Sequence, residues 1–127
     1  MDTTKRCVPE LQARLIALAV RIIAVAHALP RSPVGAHIAT QIIRCGTAPA
    51  ANYAEAIGAE SRADLIHKMG IALKELREVL VWLQIISAAG LIKPAHKLDR
   101  LADEANQLVA IFVSSINTAR RHGVAIK

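Results

Sequence analysis

Residues 61–90 read SRADLIHKMGIALKELREVLVWLQIISAAG, and this segment gives the clearest structural signal in the chain. Its apolar residues recur at alternating spacings of four and three, which is the period of one face of an α-helix. Ser61 followed by Asp64 resembles a capping box, and Gly90 suits a helix C-terminus. The pattern predicts one long amphipathic helix over residues 61–89. Its apolar face consists of Leu65, Met69, Ala72, Leu76, Val79, Leu83 and Ile86.

Comparable apolar faces occur before and after this segment. Residues 8–29 and 94–121 are predicted to be helices, with Pro94 suited to a helix start and Gly123 to a C-terminal cap. The face of the first is formed by Leu11, Leu15, Leu18, Ile22, Val25 and Leu29. That of the last is formed by Leu98, Leu101, Ala105, Leu108, Phe112 and Ser115.

The remaining segment, residues 33–57, is also predicted to be helical. Gly46 and Pro49 lie inside it, and Pro49 cannot donate the hydrogen bond that a straight helix uses at that position. We therefore expect a kink or a short break in this helix.

The composition also favours helices over strands. Hydrophobic residues make up 54% of the chain but aromatic residues only 2%, so Ala, Leu, Ile and Val must fill the core, and Ala is depleted in strands. One core suits a chain of 127 residues. We predict an all-α fold, an antiparallel up-and-down four-helix bundle with a kinked second helix, forming a single domain over residues 1–127.

The cysteines and the apolar segments suggest a cytoplasmic protein. Cys7 and Cys45 are too few for a disulfide framework, and residues 1–10 do not resemble a signal peptide. The most apolar stretch, residues 15–29, is interrupted by Arg21 and is shorter than the ~20 residues that a bilayer span needs. We expect no membrane partner.

A second apolar stripe on the first helix predicts self-association. Ile16, Val20 and Ile23 lie opposite the bundle-facing residues, and an apolar row on an outer face usually indicates an interface. The alternative is that this helix is surrounded by the others inside the bundle. The third helix contributes three further candidate interface residues, Ile71, Val81 and Ile85.

The middle of the chain resembles a known family. The segments RCGTAPAANYAEA at residues 44–56 and ESRADLIHKMGIALKELRE at residues 60–78 are similar to those of a bacterial four-helix-bundle family. That family comprises the proteins encoded in intervening sequences of 23S rRNA genes and the accessory variability proteins of diversity-generating retroelements. The resemblance extends to the Ala-Leu-Pro turn at residues 28–30 and to Ala-Gly-Leu-Ile at residues 89–92.

This resemblance implies a homopentamer arranged as a barrel with a central channel. For the retroelement branch it also implies a basic surface that contacts reverse transcriptase and nucleic acid. The family has no established enzyme activity, so the resemblance assigns no catalytic residue.

The charge distribution is consistent with a polyanionic partner. The net charge is +6, and no acidic residue lies between Glu10 and Glu55. Repeated around a ring, basic side chains would neutralise many phosphates without reading sequence. The candidate contact residues are Arg14, Arg21, Arg31, Arg44, Arg100, Arg120 and Arg121.

Two functions remain open at this stage. The first is a homo-oligomer that binds structured RNA or DNA, or an RNA-handling partner such as a reverse transcriptase. The alternative is an assembly or adaptor protein with a protein partner, in which the arginines only solubilise the surface or form ion pairs. The scarcity of aromatic residues for base stacking supports this alternative.

Patterns for catalysis and metal binding are incomplete. Asp64 and His67 have the spacing of half a di-iron site, but the second such pair is missing. His96 and Asp99 lie at a helix start, where a capping role is expected. No glycine-rich phosphate loop or activated nucleophile is present. We predict a protein without enzyme activity, cofactor or metal.

Overall fold

The computed structural model describes the backbone of residues 3–126 and the side chains of residues 8–122. These residues form four α-helices and one short 3-10 helix, with no strand in the described part of the chain. The α-helices are α1 (Thr3–Ala28), α2 (Pro33–Ile57), α3 (Arg62–Ala88) and α4 (Asp99–Ile126). The 3-10 helix, Ala95–Leu98, directly precedes α4.

The four helices pack as an antiparallel up-and-down bundle, which confirms the predicted fold class. The most extensive contact is between α2 and α3, followed by α1 with α2 and α3 with α4. The α1–α4 contact is the least extensive of the four. Both the α1–α2 turn (residues 29–32) and the α3–α4 connection (residues 89–98) lie at one end of the bundle, which we call the loop end.

Two serines start helices in the structure. The Ser61 hydroxyl accepts a hydrogen bond of 3.1 Å from the Asp64 amide, which confirms the predicted start of α3. The Ser32 hydroxyl likewise accepts from the Gly35 amide at 3.1 Å and caps α2. Each bond satisfies one amide that the first helical turn leaves without a partner.

Of the kink or short break predicted in the second helix, a break does not occur. α2 is continuous from Pro33 to Ile57, and both Gly46 and Pro49 are buried inside the bundle. The apolar ring of Pro49 packs in the core, and this packing offsets the hydrogen bond that its nitrogen cannot donate. Gly46 permits α1 to approach, because a Cβ at this position would lie 2.5 Å from Cγ2 of Ile22.

The predicted bounds of the last helix were also wrong. Pro94 has an extended ψ of 150° and precedes a tighter turn, in which the Lys97 amide donates to the Pro94 carbonyl at 3.1 Å. α4 itself therefore begins at Asp99. At its other end the helix continues through Gly123 to Ile126, since one glycine inside a helix costs only about 1 kcal/mol.

The first, third and fourth helices bury most of their predicted apolar faces, and α2, for which no face was predicted, adds Ile38, Ile42, Cys45, Tyr53 and Ala56. Three predicted positions differ: Leu65 is only half-buried, Ala26 is buried where Val25 was expected, and Ile116 is buried where Ser115 was expected. Both replacements are shifts by one residue around a helix. The Tyr53 and Phe112 rings meet edge to face, with their centroids 5.7 Å apart, and link α2 to α4.

Candidate interaction surfaces

The second stripe of α1 is exposed on the outside of the bundle. Ile16, Val20 and Ile23 are 50%, 61% and 38% exposed, and we call these three residues the α1 strip. Their exposure excludes the alternative that α1 is surrounded by the other three helices of its own chain. The bundle therefore leaves a row of large aliphatic side chains in contact with solvent.

The apolar surface continues from α1 onto α2. Gly46 packs on Ile22 of α1, and the Gln12 side chain of α1 donates to the Ala50 carbonyl at 3.1 Å. Ile43 lies one turn before Gly46 and two turns before Ala50, so it lies on the flank of α2 that faces α1. Its side chain is exposed as well. The α1 strip thus borders a further exposed isoleucine on the neighbouring helix.

The α3 candidates separate into two kinds. Val81 and Ile85 are 52% and 39% exposed, as an interface role requires in the isolated chain. Ile71 is only half-buried, so part of its surface is already covered inside the bundle. Ile71 lies four residues before Glu75, which accepts a hydrogen bond from Asn52 of α2, so Ile71 is on the flank of α3 that packs on α2.

The apolar character of α1 also bears on membranes. The stretch Val8–Ala28 has a mean hydropathy of 1.6, and its length and composition would allow it to cross a membrane. Only 33% of its most apolar window is buried inside the bundle, so core packing accounts for just part of this apolar character. One such helix near the N-terminus is weak evidence for a membrane span.

One predicted basic residue is held by an acid of α4. The Arg14 guanidinium makes two hydrogen bonds to the Glu104 carboxylate, of 2.7 and 3.0 Å, and a third of 3.1 Å to Gln107. Hydrogen bonding from Arg14 lowers the pKa of Glu104 and raises that of Arg14. This ion pair joins α1 to α4 across their narrow contact, so Arg14 is not a free cation.

Arg44 is also ion-paired. Its guanidinium donates to the Glu78 carboxylate on α3, and the Trp82 indole donates to the same carboxylate at 3.0 Å. The Trp82 ring in turn meets His37 edge to face, with the centroids 6.0 Å apart. Sequence reasoning missed this cluster because its members become neighbours only once α2 and α3 are paired in register.

Two further polar contacts join α2 to α3. The Asn52 amide donates to Glu75 at 2.8 Å, and Lys68 forms an ion pair of 3.0 Å with Glu55. Burial raises the pKa of Glu75, since desolvation disfavours the charged carboxylate. The α2–α3 flank is therefore held by polar contacts, whereas the α1 strip has none.

The other predicted basic residues remain available. They are exposed, and none forms an ion pair or hydrogen bond with another side chain within residues 8–122. Arg31 and Arg100 lie at the loop end, whereas Arg120 and Arg121 lie near the opposite end of the bundle. Arg21 lies on α1 close enough to Glu104 to contribute to its lowered pKa. The predicted set is thus dispersed over several regions of the molecule.

The structure also describes the side chain of Cys45 and the acids and histidines considered as metal ligands. Cys45 is buried, its thiol donates to the Ile42 carbonyl at 3.7 Å, and burial raises its pKa to about 12. Such a thiol is a poor nucleophile. Within the described side chains, no three His, Cys, Asp or Glu residues converge as metal ligands. Cys7 lies outside the side chains that the structure describes.

A groove of about 590 Å³ lies at the end opposite the loop end. It exists where α1 and α4 separate, and aliphatic residues from all four helices line most of it. Arg62 at its rim donates a long hydrogen bond of 3.4 Å to the Ala119 carbonyl. The lining also contains Glu10, Ser114, Ser115 and His122, but no hydrogen bond joins these side chains to one another within residues 8–122.

The fold and surfaces together define a class: small all-α four-helix-bundle proteins with an uncovered apolar strip and a surplus of exposed arginines. The chain belongs to the 23S rRNA-intervening sequence protein family, whose model matches residues 10–114. This match confirms the family predicted from residues 44–56 and 60–78.

A solved structure supports the assignment. The chain is similar to a protein of unknown function from the S23 ribosomal protein family of Bacteroides thetaiotaomicron, with 30% identity and a TM-score of 0.77. The similarity covers 84% of this chain and 97% of that one. No curated protein matches the chain.

Proposed function

We propose that this protein is a non-enzymatic homo-oligomer, a pentameric ring of bundles, that binds nucleic acid or an RNA-handling partner through its basic surface. The observation that carries the proposal is the set of exposed arginines that form no ion pair or hydrogen bond with another side chain within residues 8–122: Arg21, Arg31, Arg100, Arg120 and Arg121. The proposal places the protein in the cytoplasm and assigns it no cofactor.

The α1 strip supports the oligomer. Covering three large aliphatic side chains removes apolar area from water, and each side chain contributes up to about 1.5–3 kcal/mol when fully buried. The strip carries no charge that a partner would have to desolvate. A second copy of the chain is a suitable cover, because the same surface recurs on every subunit of a symmetric assembly. The number five comes from the family resemblance.

Assembly supports the binding role. Five copies of a chain with a net charge of +6 carry a formal charge of +30. Such a ring attracts a phosphate backbone from a distance, and binding releases the counterions condensed on the nucleic acid. Affinity is therefore expected to fall steeply as salt rises.

Two measurements test the proposal. Light scattering on the eluting wild-type protein should give a mass near five times 13.6 kDa, and the single substitution Val20→Glu should reduce that mass. Anisotropy with a labelled RNA duplex should detect binding at low salt that weakens at higher salt. A monomeric wild-type protein, or the absence of binding to any duplex at low salt, would contradict the proposal.

A protein partner is the second candidate function. The observation that favours it is that Arg14 and Arg44 are already ion-paired to acids of their own chain, which reduces the free basic surface. Under this alternative, the purified protein would retain a protein partner and an A260/A280 ratio typical of protein.

A further inference from the structure

The loop end of the bundle collects basic side chains that the sequence shows only as scattered. The up-and-down topology brings residues 24–38 and residues 84–100 to this end, although they are about 60 positions apart in the chain. These ranges contain four exposed cations, Arg31, Lys93, Lys97 and Arg100. Their only acid is Asp99, so the net charge is 4 − 1 = +3.

Arg21 adds a fifth cation to this region. Arg14 pairs with Glu104 and Gln107 across the α1–α4 contact, and the two helices are antiparallel. Seven residues further along α1, Arg21 is therefore level with residues 97–100 on α4. It lies on the same flank of α1 as Arg14, two turns away. Arg21 is exposed and level with the loop-end cations, and Glu104, which already pairs with Arg14, is the acid that its charge reaches.

The described side chains at the opposite end of the bundle include more acids. They lie in residues 8–14, 51–68 and 112–122 and comprise five cations and four acids, against one acid at the loop end. The acids are Glu10, Glu55, Glu60 and Asp64. Among the described side chains, a polyanion therefore meets less repulsion from acids at the loop end.

The loop end is also held in place before any partner binds. The Ser32 amide donates to the Pro30 carbonyl at 3.0 Å, while the Ser32 hydroxyl caps α2. Gly35 allows this tight turn, since a Cβ there would lie 1.9 Å from the Pro30 carbonyl oxygen. Arg31 projects from this turn, so little backbone entropy is lost when its side chain binds.

The described surface lacks the large aromatic rings that stack most strongly on unpaired bases. The chain contains one Trp, one Tyr and one Phe. Tyr53 and Phe112 are buried, and Trp82 is half-buried beside His37. Without an exposed Phe, Tyr or Trp ring, the loop end mainly offers charge and hydrogen-bond donors that suit phosphates. This chemistry favours the regular phosphate rows of a duplex over single strands.

We infer that the loop end, through Arg21, Arg31, Lys93, Lys97 and Arg100, is the surface that contacts the phosphate backbone of double-stranded nucleic acid. The inference rests on the proposed function and gives it a location. It excludes Arg120 and Arg121, at the other end of the bundle, as principal contacts.

Two triple variants with equal loss of charge test the location. The loop-end variant carries Arg31→Gln, Lys97→Gln and Arg100→Gln. The control carries Arg62→Gln, Lys74→Gln and Arg77→Gln, which are exposed positions away from the loop end and outside the proposed binding surface. Circular dichroism and light scattering should first show that both variants retain the wild-type helicity and oligomer mass. Fluorescence anisotropy with a labelled 20-base-pair RNA duplex then measures the affinity of each protein at KCl concentrations from 50 to 200 mM.

We expect the loop-end variant to lose at least about tenfold in affinity and to show a shallower salt dependence, since each lost phosphate contact reduces the logarithmic slope by about 0.9. The control should stay within about threefold of wild type. Unlabelled single-stranded poly(A) should compete less well than unlabelled duplex.

The possible failures are distinguishable. If the wild-type protein does not bind the duplex at 50 mM KCl, the proposed function fails and this inference fails with it. If wild type binds but the loop-end variant binds equally well, or the control variant loses more, only the location is overturned. Equal competition by poly(A) or by polyglutamate would overturn the assignment to duplex phosphates.

Discussion

Replacing Gly46 with alanine should destabilise the bundle, whereas the same change at Gly70 should stabilise it. At Gly46 the new Cβ would lie 2.5 Å from Cγ2 of Ile22 and 2.9 Å from its Cβ and Cγ1. Ile22 is completely buried, so it has no space into which to move. At Gly70, inside α3, no atom lies within 4 Å of the new methyl group.

These distances set the expected magnitudes. Alanine is about 1 kcal/mol more favourable than glycine inside a helix, and this gain applies at both sites. Overpacking at Gly46 opposes it with about 1–3 kcal/mol. We therefore expect Gly46→Ala to lower the free energy of unfolding by about 1 kcal/mol and Gly70→Ala to raise it by up to about 1 kcal/mol.

Thermal and urea denaturation, followed by circular dichroism at one fixed protein concentration, measure both effects. Fixed concentration is needed because subunit association changes apparent stability. A double-mutant cycle adds a direct test: Ile22→Ala should cost about 1 kcal/mol less in the Gly46→Ala background, since the new methyl fills part of the cavity. If Gly46→Ala stabilises the protein as much as Gly70→Ala does, the close packing of α1 on α2 is refuted.

Three further outcomes follow from the contacts. The hydrogen bonds from Arg14 lower the pKa of Glu104 in the folded protein below its ordinary value of 4.5. The ion pair therefore stabilises the fold fully above pH 4.5, and this stabilisation is lost as the pH falls through the pKa of Glu104 in the folded protein. Glu104→Gln should cost less than about 1 kcal/mol at pH 7 in denaturation experiments, and an equal cost at pH 2 would contradict this explanation. Burial raises the pKa of Cys45 to about 12, so in a Cys7→Ser variant this thiol should resist a thiol reagent at pH 8 until urea unfolds the protein. Immediate labelling of the folded protein would argue against the burial of Cys45. Gly35→Ala should lower the free energy of unfolding by about 3 kcal/mol, because its Cβ would meet the carbonyl oxygen of the α1–α2 turn at 1.9 Å, and an unchanged midpoint in urea would exclude that tight turn.

The helices could be predicted from sequence because their evidence is local. Ser61 and Gly90 bound α3, and the apolar spacing between them gives its buried face without reference to any other helix. The same reasoning failed at Pro94, and at Pro49 it allowed a break that does not occur. Whether a proline ends a helix depends on what surrounds its ring, and burial of Pro49 in the core is a tertiary effect.

The candidate sites were predicted only in part. Exposure of the α1 strip follows from the helical period, since residues opposite a buried face point outward in any bundle. The pairing of Arg14 with Glu104 spans 90 positions and that of Arg44 with Glu78 spans 34, and neither spacing carries a local signal. Counting arginines along the chain therefore overestimated the free basic surface.

The amino-acid sequence alone determined the four helices, the fold class and the family, because periodicity, caps and motifs are properties of neighbouring residues. The tertiary structure decided which charges are free and where they gather. Arg31 and Lys97 are distant in the chain, yet the antiparallel topology places both at the loop end. Electrostatic attraction depends on distance in space, so the basic surface exists only once the helices have packed.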